Sequence, residues 1–310
     1  MQSASKSPLS SELTEFAAQA SSPHTQRAYA SDWNHFKAWC KNRGRSALPA
    51  PADDVALYFR FCAEKLHLKV STIQRRCAAI AETHNQNRHP SPTDAWIVRN
   101  TLKRLRYDHG SLPNEKKPMS LENIKAMLQH CSDSMSGIRD KALLLTGFCG
   151  ALRRSDLVNL DIEDLAKADE GLVLTIRDPQ RKAPRKLGLP YGKDPHSCPV
   201  QALFAWIEKA QITDGPLFRA VTKFNRPRAT RMSDRVVADI VKKYSALIGK
   251  RAALFSAHSL RSGFAIAAAQ AGASDRSIQN QTGHATLQSL RRYTRAAEIF
   301  RDNAVKKLNI

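Results

Sequence analysis

Five side chains in this 310-residue sequence can together grip a phosphodiester and attack it: Arg153, His258, Arg261, His284 and Tyr293. They stand in three clusters, Gly150-Ala-Leu-Arg153-Arg154-Ser-Asp156-Leu, His258-Ser-Leu-Arg261, and Gly283-His284-Ala-Thr-Leu-Gln-Ser-Leu-Arg291-Arg292-Tyr293. Guanidinium groups neutralise the charge that builds on a phosphoryl transition state, histidines move protons, and a tyrosine oxygen can hold phosphorus covalently, all without a metal. Each cluster alone also has a plain structural reading. Arg153 with Asp156 three residues on makes a salt bridge, His258 and Arg261 make a solvated turn, and a tyrosine after two arginines is an exposed surface residue. The joint occurrence of these residues in this order, with a turn lysine between the first and second clusters, points to chemistry.

The second cluster is the most telling of the three. A spacing of three at a helix start, after Phe255-Ser-Ala, puts His258 and Arg261 on one face near the positive helix end, where an anion is held. The run that follows, Phe264-Ala-Ile-Ala-Ala-Ala-Gln-Ala, is small and apolar all round, as in a buried helix. Two cationic groups at the head of a buried helix need a reason to be there.

The elements that must position these groups are mostly helical. A helix introduced by Ser22-Pro23-His24-Thr25 carries Tyr29, Trp33, Phe36 and Trp39 or Cys40 at three- and four-residue spacing, which reads as core. A second, opened by Asp53-Asp54, carries Val55, Tyr58, Phe59 and Cys62. A third begins at Ser71 or Thr72 with Ile73, Cys77, Ile80 and Ala81 on one face, and a fourth runs from Asp94 with Trp96, Ile97, Leu102 and Leu105 inward. Residues 1–19 are expected to be a flexible N-terminus and residues 20–109 a compact four-helix unit. Residues 110–119, with Pro113, Pro118 and charges but no apolar periodicity, read as a linker, and residues 120–310 as a second domain. In that domain Ser120 opens a helix, and 138–160 reads as a longer helix and its exit. Leu172–Arg177 and Lys186–Pro190 read as two strands around a turn, and helices are expected near 198–210, 233–248, 258–271 and 274–282, then around Tyr293 and over 296–308. The fold class is thus mainly α with a small β-hairpin or sheet.

Composition narrows the partners. Forty-nine Lys and Arg against 28 Asp and Glu give a net charge of +21, which suits a polyanion. Residues 1–110 hold 16 basic and 9 acidic side chains, a net +7, and residues 111–310 hold 33 and 19, a net +14, so both parts are expected to touch it. The six cysteines fall at irregular spacings without a CxxC pair, which argues against zinc and disulfides. No apolar run is long enough to span a bilayer, and the opening Met-Gln-Ser-Ala-Ser-Lys-Ser-Pro lacks a signal-peptide core, so a cytoplasmic, nucleoid-associated protein is expected.

On these residues and motifs, from about Thr25 to Tyr293, the sequence resembles the tyrosine recombinase (phage integrase) family, and within it the compact two-domain members of Cre or Xer type. The resemblance implies an N-terminal four-helix, SAM-like core-binding domain and a mixed, mostly helical catalytic domain. It implies that Arg153 and Arg261 hold the nonbridging oxygens of the scissile phosphate, that His258 is general base or proton shuttle, that His284 fills the further hydrogen-bonding position, and that Tyr293 is the nucleophile. Lys182, in the turn Pro179-Gln-Arg181-Lys182-Ala-Pro184 and crowded by Arg181, Arg185 and Lys186, stands where the family places its general acid, and Asp156 matches an acidic buttress of the first arginine.

The activity so implied is site-specific cutting and rejoining of DNA through a 3′-phosphotyrosine, with no cofactor, ATP or metal. The partners implied are double-stranded DNA with paired inverted half-sites and a tetramer, of this chain alone or with a sister recombinase, in which residues 299–308 dock into a neighbouring protomer. Candidate DNA contacts are Gln74, Arg75, Lys103 and Arg106 in the first domain and Lys223, Arg226, Arg228, Arg231 and Arg235 in the second. Two positions depart from the commonest pattern, Thr282 where leucine is frequent and Arg154 where an aliphatic residue is usual. A topoisomerase IB-like enzyme that only nicks and recloses DNA, and a non-catalytic DNA-binding protein of the same fold, remain as alternatives.

Overall fold

The structure, a computed structural model, describes residues 23–110, 116–177, 183–284, 286–288 and 290–291. The expected flexible N-terminus, Lys182, Tyr293 and the segment 299–308 lie outside the described residues. The chain separates into two compact units, Met1–Asn114 and Glu115–Ile310.

In the first unit four helices form: α1 (Pro23–Lys41), α2 (Ala52–Glu64), α3 (Val70–Gln86) and α4 (Trp96–His109). The aromatic stripe of α1 goes where its spacing sends it, since Phe36 and Trp39 are buried against Tyr58 of α2 with ring centroids 4.9 and 5.3 Å away. Ile73 and Ile80 of α3 and Val98, Leu102 and Leu105 of α4 close this core. On α4 the expected inward set is corrected: Trp96 is 71 % exposed and Ile97 37 %. The stripe runs through 98, 102 and 105, and Trp96 lies two residues back, about 200° around a helix of 3.6 residues per turn. A buried histidine crosslinks the unit. His84 Nδ1 donates to Ile80 O at 2.8 Å, and its Nε2 accepts from the Ala50 amide at 3.0 Å.

The second unit contains α5 (Leu121–Gln129), α6 (Met135–Cys149), α7 (Arg154–Asn159), α8 (Pro199–Lys209), α9 (Asp234–Leu247), α10 (Ala257–Gln270) and α11 (Asp275–Thr282). Serine hydroxyls cap α5, α6 and α11, with Ser120, Ser134 and Ser274 accepting from backbone amides three residues on. Helix α6 is the central one: Ala142 to Phe148 are all buried. The expected strand pair is present as β2 (Gly171–Ile176) and β3 (Arg185–Pro190), joined by a third antiparallel strand, β1 (Leu165–Ala168), that the sequence pattern did not signal. A second hairpin, β4 (Arg219–Val221) with β5 (Pro227–Arg231), occupies the basic stretch before α9.

The chain enters this unit by crossing α10 closely. Met119 N donates to Ser259 O and Lys117 N to Leu254 O, at 2.9 and 2.8 Å. Gly263 makes the crossing possible, since a Cβ there would lie 1.9 Å from Met119 O. No described helix is long and apolar enough to cross a membrane.

Candidate active site

The stretch 138–160, expected as a longer helix and its exit, is two helices with a break between them, and the break builds the site. Helix α6 ends at Cys149, Ala151 takes a left-handed backbone conformation at φ 47°, and Arg153 becomes the residue that precedes α7. A left-handed alanine costs on the order of 1 kcal/mol, offset here by complete burial of Ala151 and near-complete burial of Leu152. Asp156 then fixes the arginine: its carboxylate accepts from the Arg153 amide at 3.3 Å and lies 3.6 Å from the guanidinium. The Asp156 side chain is 9 % exposed and that of Arg153 46 %, so a sheltered carboxylate holds an accessible cation.

Helix α10 supplies the next two groups. Ser256 precedes it, its amide donating to Ser259 Oγ at 3.0 Å. Arg261, one turn in, is 2 % exposed, and its Nη1 donates to Ala151 O at 2.7 Å and to Thr282 O. The buried guanidinium therefore ties the α6–α7 break to the end of α11. His258 is exposed and lines, with Arg153, Ser155, Ala238 and Ser256, a cleft of about 340 Å³. Arg154 stands at the same cleft and pairs with Asp234 at 3.0 Å.

Helix α11 delivers His284. Gly283 ends the helix in the left-handed region at φ 67°, with its amide bonded to Gln279 O at 2.7 Å, and turns the chain so that His284 Nδ1 meets Thr282 Oγ1 at 2.8 Å. Burial, then the charges of Arg261, Arg153 and His258, push the His284 imidazole down to about 4. The cleft shared by Arg153 and His258, the bonds of Arg261 to Ala151 O and Thr282 O, and the contact of His284 with Thr282 gather these groups from three helices far apart in sequence. Leu290, three residues before Tyr293, is buried with Ala265, Ala269 and Ile278 of α10 and α11, and Arg291 lies 3.8 Å from Asp275 at the start of α11.

Two residues not singled out as site residues in the sequence complete the frame. Arg185, the first residue of β3, donates from Nη1 to Asn280 O and Gln281 O at 3.1 and 2.8 Å, satisfying carbonyls at the carboxyl end of α11. Gln281 Nε2 donates to Cys149 O and Gly188 O at 2.8 and 3.3 Å. Local sequence holds no signal for either, because their partners lie about 90 to 130 positions away.

The remaining sequence candidates are dispersed. Gln74 accepts from Arg106 Nε at 2.8 Å once its amide is oriented to do so, and both line a cleft with Lys69, His67 and His109. Lys103 is exposed nearby on α4, while Arg75 makes a two-point bond to Asp32, at 2.7 and 3.1 Å. Lys223, Arg226 and Arg228 are exposed on the β4–β5 hairpin beside Phe224, itself 75 % exposed, and Arg235 is exposed in the first turn of α9. Arg231 points back into the protein, bonded to Val158 O, Leu160 O and Asp161.

This arrangement has known counterparts. The chain is 36 % identical over 293 residues to an integrase/recombinase XerD homolog of Selenomonas ruminantium, covering 92 % of this chain and 85 % of that one. It is 26 % identical over 297 residues to the recombinase Cre of Escherichia phage P1, with 89 % and 85 % covered. In fold it is similar to the XerH site-specific recombinase crystallised in a post-cleavage complex with its palindromic difH substrate, at a TM-score of 0.60 and 17 % identity over 84 % of this chain and 73 % of that one. The model of the phage integrase family matches residues 117–298, the span that holds all three clusters. With its mainly helical fold and these relatives, the chain belongs to the phage integrase family, the tyrosine recombinases.

Proposed function

We propose that this site-specific recombinase cuts and rejoins DNA through a phosphotyrosine intermediate, with Arg153, Lys182, His258, Arg261, His284 and Tyr293 as its catalytic set. The observation that carries the reading is the convergence of two guanidinium groups and two imidazoles on one locus, a surrounding built for a phosphate oxyanion rather than for a cation. In the proposed step the Tyr293 oxygen attacks phosphorus and the bond to the 5′ oxygen breaks. His258 receives the tyrosine proton, Lys182 gives a proton to the leaving 5′ oxygen, and Arg153 and Arg261 neutralise the equatorial oxygens. Asp156 holds Arg153 in place. A 5′-hydroxyl from a partner strand reverses the step, so the bond energy is kept and no outside energy source is needed.

Double-stranded DNA with paired inverted half-sites is the proposed substrate, bound by a tetramer in the cytoplasm, with residues 299–308 docked on a neighbouring protomer. Residues 20–109 serve as the core-binding domain, 110–119 as the linker and 120–310 as the catalytic domain. Lys103, Arg106 and Gln74 in the first unit, and Lys223, Arg226, Arg228 and Arg235 in the second, make the exposed contacts to DNA. Arg75 and Arg231 act by holding Asp32 and Asp161 beneath them. The test is covalent capture on a nicked duplex taken from DNA flanking the gene. Wild type is expected to give a protein–DNA adduct at one defined position with a 3′-phosphotyrosine, and Tyr293→Phe none. Adducts at scattered positions would favour a nicking-closing enzyme, and tight binding with no adduct a non-catalytic protein.

A further inference from the structure

Thr282, one of the two departures from the family's commonest pattern, is fully buried, and its hydroxyl faces two groups that compete for one proton. Thr282 Oγ1 lies 2.8 Å from Ile278 O, one helical turn back, and 2.8 Å from His284 Nδ1, with Gln279 O more distant at 3.4 Å. A carbonyl oxygen only accepts, so the threonine proton goes to Ile278 O. The contact with His284 is then closed by a proton on Nδ1. A neutral imidazole protonated at Nδ1 has an unprotonated Nε2, the reverse of the form that free imidazole side chains favour. The Thr282 carbonyl is also engaged, accepting from buried Arg261, so the residue is held at both its backbone and its side chain.

We infer that Thr282 is a positioning residue that keeps the proton of His284 on Nδ1, so that Nε2 becomes a hydrogen-bond donor only by taking up a proton as an anion enters the site. This rests on the reading that a phosphate is bound among Arg153, Arg261 and His284. Arg185 of β3 lies over the adjoining Gly283, and among the described residues the groups that act on the imidazole are Arg261 and His258 from α10 and Arg153 from the start of α7. All of them oppose a positive charge on His284 in the free protein. A phosphodiester placed among them reverses that balance, so DNA binding draws in one proton per site and strengthens as pH falls below the ordinary range of an imidazole.

The test uses full-length Tyr293→Phe protein carrying ¹⁵N-labelled histidine, with the His284 ring assigned by its loss in His284→Asn. At neutral pH the expected spectrum shows Nδ1 protonated and Nε2 unprotonated. Thr282→Val, nearly the same shape without the hydroxyl, moves the ring toward the Nε2-protonated form, and Thr282→Ser restores the original one. Added inorganic phosphate protonates Nε2 in the parent protein. In the otherwise wild-type enzyme Thr282→Val slows cleavage roughly tenfold, the size of one lost hydrogen bond, and displaces the acid side of the pH profile, while Thr282→Ser does neither. A ring protonated at Nε2 in the parent, or one indifferent to Thr282→Val, overturns the role of Thr282, and if the valine variant does not fold the parent spectrum alone decides. A ring that is held as expected but ignores phosphate overturns the anion-site reading and the proton uptake with it.

Discussion

The two compact units each keep a histidine in the same protonation form by different means and for different ends. In the first, His84 gives its Nδ1 proton to the carbonyl of Ile80 one turn back and closes Nε2 on the Ala50 amide, so a wholly buried ring has both nitrogens satisfied by backbone. In the second, His284 gives its Nδ1 proton to a side-chain hydroxyl, lies among Arg261, Arg153 and His258, and is half-buried. One imidazole is a crosslink and the other a device. The difference comes from the surroundings: backbone groups cannot be recharged, whereas a ring ringed by cations responds strongly to any anion that arrives.

The comparison breaks most visibly at Arg261. Replacing it with Met removes the charge that weighs most on His284 and leaves Ala151 O and Thr282 O without their guanidinium donor. Cleavage is expected to fall by about 10³-fold or more, in line with loss of a preorganised charge at a phosphoryl centre. The His284 imidazole should then titrate closer to its ordinary range, which a histidine NMR titration reads directly. An unchanged titration would mean that the charge of Arg261 has no part in depressing it.

A smaller and more symmetrical pair of changes exchanges stability for activity. His84→Leu deprives the buried Ala50 amide of its acceptor and is expected to cost about 1–3 kcal/mol in urea unfolding, while adduct formation per folded molecule stays near wild type. His284→Gln should do the opposite, with unfolding nearly unchanged and cleavage lowered by about 10²-fold. Equal losses of stability in both variants would erase the distinction between crosslink and device.

The smallest effect is on pH. Both histidines are depressed below the ordinary imidazole value of 6.5 by burial, His284 also by its cationic neighbours and to about 4. The unfolded chain therefore takes up protons first as pH falls. The stability these rings contribute is intact above about pH 6.5 and is lost as pH drops toward 4. The urea midpoint of the free protein should fall between pH 7 and pH 5, and the fall should be shallower in His284→Gln.

What was legible in the sequence was whatever repeats locally. The stripe of α1, the cap of α5, the β2–β3 pair and the helices between 199 and 282 follow from spacing and cap chemistry within a few residues. The burial of α4 departs from its apolar residues because Trp96 and Ile97 are out of phase with 98, 102 and 105. The β4–β5 hairpin carries little strand signal because the apolar positions of Pro227-Arg-Ala-Thr-Arg231 are only a proline and an alanine, and no residue of that strand is buried. At the site, residue types and order marked Arg153, His258, Arg261 and His284, but not their depth: Arg261 is buried and His258 exposed although one helical turn apart. Arg185 and Gln281 act on carbonyls far along the chain, and Thr282 showed in the sequence only as an unusual letter.

The crossing at Gly263 has a consequence for how this gene can change. Any side chain there would meet Met119 backbone atoms at 1.9, 2.8 and 2.9 Å, and a backbone cannot turn aside as a flexible side chain can. Every amino acid but one is excluded, two residues along α10 from Arg261. Because all four glycine codons share their first two bases, a descendant that keeps this crossing can alter codon 263 only at its third base.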